Sequence, residues 1–240
     1  MFVIESLSKS YTTGKQSFPV LNNISLTVHE GDFIMIMGES GSGKSTFLNC
    51  ISSLDRPSSG TIRFKDEDLS TLSAARIQTF RNQAVAFVFQ ENVMMDTLTM
   101  KENVMLAALE HNPDVSERAL SLMRTMRVDQ IADKFPGQVS TGERQRCALA
   151  RALINQPTVL FADEPTAALN PQFAKEVMEL LQKLNEQGQT IVMVTHSLRM
   201  AAYGNRFLLL RDGSFQVDER LSGDLSTKHQ RLFSLASDIL

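Results

Sequence analysis

An α/β fold with a mainly parallel sheet, an antiparallel β edge sheet and an inserted helical lobe is what the sequence predicts, on three observations. A glycine-rich loop ending in Lys-Ser-Thr stands between an apolar run and a helical pattern. Three further runs, residues 84–89, 158–162 and 190–195, are apolar throughout, as expected of strands covered on both faces by helices. Between the first and second of these, residues 92–153 show helical periodicity rather than strand alternation.

In chain order, residues 2–7 and 20–28 read as half-exposed strands joined by the polar stretch 11–17, which makes the edge sheet. Residues 33–37 read as a buried strand and residues 45–51 as the helix that follows. Between them Gly38, Glu39, Ser40, Gly41, Ser42, Gly43, Lys44, Ser45 and Thr46 fit the pattern G-x-x-x-x-G-K-[ST] at every fixed position. In strand–loop–helix context this pattern cradles a nucleoside triphosphate: glycines let backbone N–H groups turn inward, and the helix dipole adds to the attraction. Lys44 is placed to reach the β- and γ-phosphates, and the Ser45 hydroxyl to ligate Mg²⁺. The core is therefore expected to be a P-loop NTPase. Its predicted extent is about 1–91 and 154–220, with a helical lobe at about 92–153 carrying amphipathic segments at 100–109 and 117–126. The tail 221–240 places Leu232, Phe233, Leu235, Ala236 and Ile239 at helix-like spacing, as a helix packed on its own domain would.

Composition narrows the class. With 240 residues, 42% hydrophobic and 21% charged, the chain can bury a full core as one domain. No apolar stretch reaches the length that crosses a bilayer, and the N-terminus lacks a signal-peptide pattern, so a cytoplasmic location is expected. Cys50 and Cys147 have no metal-ligand spacing and read as core fillers. A net charge of −3 and a pI near 5.8 give no reason to expect nucleic acid as a partner.

A second constellation is the apolar run 158–162 followed by Asp163, Glu164 and Pro165. Carboxylates at the end of a buried strand need a compensating cation or hydrogen bonds. With a phosphate loop on the same sheet, Asp163 is placed to hold Mg²⁺ through its water shell and Glu164 to polarise the attacking water. A third lies just before it, where Ser140, Thr141, Gly142 and Glu143 open a helix rich in Arg and Ala, a second helix N-terminus suited to an anion. One triphosphate does not need two cradles in one chain. A dimer, in which the cradle of one subunit closes on the nucleotide of the other, resolves the surplus.

At this point the chain resembles the ATP-binding subunit of ATP-binding-cassette (ABC) transporters, whose signature in its commonest form is Leu-Ser-Gly-Gly-Gln. The resemblance runs from Phe2 to about Gln216. It implies ATP hydrolysis with ATP and Mg²⁺, Tyr11 stacking on adenine, Gln90 joining Mg²⁺ and the attacking water to the helical lobe, and His196 contacting the γ-phosphate. Ser140, Gly142 and Glu143 would meet the nucleotide of a second copy or a related cassette. Two positions depart from the family: Thr141 replaces the first signature glycine, and Asn170 replaces an aspartate in the loop crossing between subunits, so a charged contact becomes a neutral amide. Both bear on turnover more than on nucleotide binding.

Within the family, residues 53–60 and 89–103 look most like the group serving lipoprotein release, macrolide export and antimicrobial-peptide detoxification. That implies a motor driving a separate integral membrane permease, held at the inner face of the cell membrane. Val93, Met94, Met95 and Leu98 are then candidates to receive the permease. The alternatives are a soluble ATP switch acting on DNA or the ribosome, and a weakly catalytic regulatory binder.

Overall fold

The computed structural model describes residues 1–14, 16–90, 93–108 and 113–237. Lys15, Asn92, Leu109 and Ile239, which fall within predicted segments, lie outside the described residues.

The chain opens as a long antiparallel hairpin, β1 (Phe2–Thr13) and β2 (Gln16–Val28), paired from Phe2 with Val28 to Thr13 with Gln16. Within the stretch 11–17, expected as a polar connection, residues 11–13 continue β1 and residues 16–17 begin β2, with Tyr11 opposite Phe18. Strand β3 (Phe33–Met37) leads into helix α1 (Lys44–Ile51). Strands β4 (Ser59–Phe64) and β5 (Glu67–Asp68) then join the hairpin in a sheet of order β2-β1-β4-β5. Helix α2 (Ala74–Gln83) precedes β6 (Val85–Val88). Three helices follow, α3 (Met100–Met105), α4 (Pro113–Thr125) and α5 (Thr141–Leu153), so the segment between β6 and the next strand is helical as expected. After them come β7 (Val159–Asp163), α6 (Pro171–Glu186), β8 (Thr190–Val194), α7 (Leu198–Ala201), β9 (Arg206–Arg211), β10 (Ser214–Arg220) and α8 (Leu225–Ser237).

The second sheet has the order β10-β9-β3-β8-β7-β6, with every pair parallel except the β9–β10 hairpin. Its strands read as continuous apolar runs because successive residues serve two cores. Phe33, Met35, Leu160, Ala162, Ile191 and Met193 face one core with helices α3 to α8. Ile34, Ile36, Val159, Phe161, Val192 and Val194 face the other, with α1 and the inner residues Phe2, Ile4 and Leu7 of β1. Helix α1 is thus buried between the two sheets, which fixes the loop in front of it. Cys50 and Cys147 are buried in these cores, and burial pushes their thiols up to about 11 and about 12.

At the opposite end of β3, Asp32 is 2% exposed and accepts hydrogen bonds from Arg206 (3.3 Å), Arg220 (2.7 Å) and the His29 amide (2.9 Å). Arg206 also pairs through two nitrogens with Asp218. This network ties the β2–β3 turn to β9 and β10. In the tail helix Leu232 is fully buried and Leu235 packs against the core, whereas Phe233 is exposed.

Candidate nucleotide site

The site hangs from the C-terminal ends of parallel strands, the edge where open α/β sheets bind ligands. β3 runs into the loop 38–43, β7 ends in Asp163 with Glu164 next, and β8 is followed by Thr195 and His196. These ends and Gln90, just past β6, enclose a cavity of about 420 Å³. Ser40, Gly41, Gly43, Lys44, Ser45, Thr46, Gln90, Asp163, Glu164 and His196 line it, with Val20 and Val194.

Gly43 caps α1 with φ 104° and no side-chain hydrogen bond. Helices α2, α3, α5, α6 and α7 are instead capped by the side chains of Ser73, Thr99, Ser140, Asn170 and Ser197. The first-turn N–H groups of α1 have no partner of that kind and stay available to an anion. A Cβ at Gly43 would lie 2.8 Å from Leu21 Cδ2 and 2.9 Å from the Val20 carbonyl oxygen, so both its backbone angle and its neighbours require glycine. Ser42 Oγ is buried without a hydrogen-bond partner among the described residues, a further sign of a loop shaped for a ligand. Lys44 is folded over its own loop, its Nζ donating to the carbonyls of Gly38 (3.0 Å) and Glu39 (2.7 Å). Burial lowers the pKa of its ammonium, against the pull of Glu164 and Asp163.

Glu164 has φ 50°, a left-handed conformation uncommon for a side chain of this kind, and its N–H donates to the Val194 carbonyl (3.1 Å). Its Oε1 lies 2.7 Å from His196 Nε2. Burial raises the carboxyl above the usual carboxylate range and Asp163 adds to the rise, while His196 and Lys44 oppose it. The arrangement places a partly buried carboxylate of raised basicity, an imidazole and a lysine around one anion cradle. Tyr11 is outside the cavity lining, but its hydroxyl donates to Asp55 (2.8 Å) in the loop after α1.

A family model described as ABC transporter matches residues 21–167. The chain belongs to the ABC transporter family. It is an ATP-binding cassette ATPase. It is 39% identical to the bacitracin export ATP-binding protein BceA of Halalkalibacterium halodurans over 219 residues, 89% of this chain and 87% of that protein. It is 40% identical over 228 residues to the macrolide export ATP-binding/permease protein MacB of Syntrophobacter fumaroxidans, covering 92% of this chain and 32% of that longer protein. A dimeric structure of a post-hydrolysis state of the cassette MJ0796 of Methanocaldococcus jannaschii, bound to ADP and Pi, superposes with a TM-score of 0.85 at 36% identity, over 93% of this chain and 100% of the other.

In the cassette, Ser140, Gly142 and Glu143 do not line the cavity. Ser140 Oγ accepts from the Glu143 amide (3.3 Å), and the Glu143 carboxylate accepts from the Ser140 amide and hydroxyl (2.8 Å each), a reciprocal cap on α5. Of the two residues between them, only Gly142 is constrained by packing: a Cβ there would come within 3.0 Å of the Phe173 ring on α6. Thr141 is exposed and its hydroxyl accepts from Arg144 (3.2 Å), so a side chain is accommodated at this position.

Asn170, read from the sequence as a lost charge, caps α6 by accepting the Phe173 amide (2.9 Å). Asn and Asp serve about equally there, so the local structure survives the replacement.

Of the residues after Gln90, Val93 (75%) and Met95 (49%) are exposed, Leu98 is half-buried and Met94 belongs to the core. Phe89 and Leu54 are exposed apolar residues as well. Two side chains that the sequence did not single out hold this segment. Asn103, fully buried, accepts from the Met95 amide and donates to the carbonyls of Met95, Leu98 and Thr99. Arg151 of α5 donates to the Val93 carbonyl (2.9 Å) and contacts Met94 Sδ (3.7 Å). An asparagine four residues past a capping threonine carries no sequence signal of such a role.

Proposed function

We propose that the cassette is the motor subunit of an export or extraction system, hydrolysing ATP with Mg²⁺ between two cassettes to drive a separate integral membrane permease. The observation that carries the chemistry is the Glu164–His196 pair, 2.7 Å apart, in the cavity that also holds Lys44. Among the described residues no group of three or more His, Cys, Asp or Glu forms a metal cage. Ser45, Gln90 and Asp163 offer hard oxygen donors with a single carboxylate, which suits Mg²⁺ completed by phosphate oxygens and waters. Such an ion would neutralise charge on the β- and γ-phosphates. Gly38, Glu39, Ser40, Gly41, Ser42, Gly43, Lys44 and Thr46 hold the phosphates. Tyr11 carries the base, Glu164 orients and polarises water as general base, and His196 holds Glu164 and meets the γ-phosphate. Ser140, Gly142 and Glu143 complete the site of the other subunit, and α3 to α5 act as the lobe that carries them.

The substrate class is a peptide, antibiotic or lipoprotein, supported by relatives named for bacitracin and macrolide export. The exposed Phe89, Val93 and Met95 beside Gln90 would receive the permease, placing the cassette on the cytoplasmic face of the membrane. No helix among the described residues is long and apolar enough to cross a membrane. Co-expression with the permease encoded nearest to it, detergent extraction and pull-down test this reading: a stable complex lost in Val93→Asp is expected. Recovery of ribosomes or DNA without permease would replace it.

A further inference from the structure

The ring assigned to the base is not a free surface aromatic. Tyr11 and Lys9 stand two apart in β1 and share one face of the strand. Lys9, only 9% exposed, donates from Nζ to Asp55 Oδ1 (2.7 Å) and to the Arg56 carbonyl (2.7 Å), and the same Nζ lies 4.8 Å from the centre of the Tyr11 ring. The other carboxylate oxygen, Asp55 Oδ2, accepts the Tyr11 hydroxyl at 2.8 Å. The Arg56 amide closes on Asp55 Oδ1 (2.7 Å). Asp55 belongs to the loop after α1, so the ring is fixed from a segment far along the chain.

We propose that Asp55 and Lys9 are positioning residues for the nucleobase: Asp55 locks the orientation of the Tyr11 ring, and Lys9 occupies one face of it so that the purine stacks on the other. This rests on the reading of Tyr11 as the base platform. Each element has a physical reason. A ring tethered at its hydroxyl loses little freedom when a base settles on it, so more of the stacking energy appears as affinity. A lysine whose ammonium is held by a carboxylate and a carbonyl stays over the ring by cation–π attraction instead of leaving for water. Burial alone would push the Asp55 carboxyl up, but the hydrogen bonds from Lys9, Tyr11 and the Arg56 amide outweigh it and hold the carboxyl below its usual range. The clamp is therefore charged at neutral pH. Neither Asp55 nor Lys9 lines the phosphate cavity, so their effect should fall on the base and not on the triphosphate.

The test compares equilibrium binding of ATP with that of inorganic tripolyphosphate, which has the phosphates without the base. Asp55→Asn and Lys9→Met are expected to weaken ATP roughly three- to tenfold and to leave tripolyphosphate unchanged. Tyr11→Phe keeps the ring but cuts its tether, and should match Asp55→Asn. Adding Asp55→Asn to Tyr11→Ala should cost nothing beyond Tyr11→Ala alone, since the tether acts only through the ring. Wild-type ATP affinity in Asp55→Asn and Tyr11→Phe, equal weakening of both ligands, or additivity with Tyr11→Ala would each overturn the proposal. If Asp55→Asn does not fold, Tyr11→Phe and Lys9→Met decide it by the same split. An unchanged ATP affinity in Tyr11→Ala is the separate result that would remove the base-platform reading itself, and the inference with it.

Discussion

Glu164 combines a strained backbone, partial burial and an imidazole 2.7 Å from its carboxylate at a strand end where a phosphate cradle also opens. Strain of this sort, of order 1–3 kcal/mol, persists where the surroundings over-determine it, here through the hydrogen bond from the Glu164 N–H to the Val194 carbonyl and the pull of His196. Glu164→Gln keeps the shape and removes the proposed general base, and should lower ATP hydrolysis by roughly two to four powers of ten while ATP still binds. The raised carboxyl sets a pH dependence as well. A general base must be ionised, so the acid limb of the rate profile should lie above the ordinary glutamate range. Because the His196 charge lowers the Glu164 pKa, His196→Ala should move that limb to higher pH, read by initial rates across a pH series. The stability sign is opposite to that of a salt-bridged acid. A carboxyl raised on folding costs stability once ionised in both states and nothing when protonated in both. Glu164→Gln should therefore raise the Tm at neutral pH, with the gain vanishing as pH falls below the unfolded glutamate value.

Among the elements, helix termini divide by function. Among the described residues, five helices are capped by a Ser, Thr or Asn side chain, while α1 leaves its first turn open behind Gly43. Asn170→Ala should cost about 1 kcal/mol in chemical denaturation, and Asn170→Asp close to nothing, because the two amino acids cap alike. If Asn170→Asp changes ATP turnover, the effect then belongs to the crossing loop and not to helix stability. The segment 93–99 is suspended between α3 and α5 by Asn103 and Arg151, and α5 also begins at Ser140. Asn103→Ala leaves several buried backbone groups unpaired and should cost about 3 kcal/mol, a Tm drop of roughly 10 °C. A smaller drop would show that the loop is held mainly by Arg151 and packing.

For the whole molecule, the two helix N-termini, one open at the cavity and one at Ser140 outside its lining, would be brought to use by a second copy in the proposed arrangement. ATP with Mg²⁺ should convert Glu164→Gln to a dimer in size-exclusion chromatography, and Lys44→Ala should stay monomeric under the same conditions. A monomeric Glu164→Gln with bound ATP would remove the shared-site arrangement from the account. The relative MJ0796 has been seen as a dimer with ADP and Pi, which fits this expectation.

The phosphate loop, the all-apolar strands and the acidic strand end were legible because each rests on local chemistry: backbone turns, two-faced burial, a carboxylate at a strand end; the roles of Tyr11, Gln90 and His196 came only as what the resemblance to the family implies. Three kinds of feature were not. Helix α2 buries only Phe80 fully enough to count as core, so its sequence has little periodicity to read. Strands β4, β9 and β10 were missed, β10 alternating half-buried and exposed residues and β4 with Ile62 as its sole buried residue. The roles of Asp32, Asp55, Asn103 and Arg151 depend on partners brought near only by folding. A short motif specifies its own backbone and the ligand it can meet; a single Asp or Asn specifies nothing until the chain returns to it. The sequence by itself thus determined the fold class and the chemistry of the nucleotide cradle. Only the tertiary structure decided which carboxylates are clamps, which methionines are core and which glycine is indispensable, since those depend on what stands opposite each side chain in space.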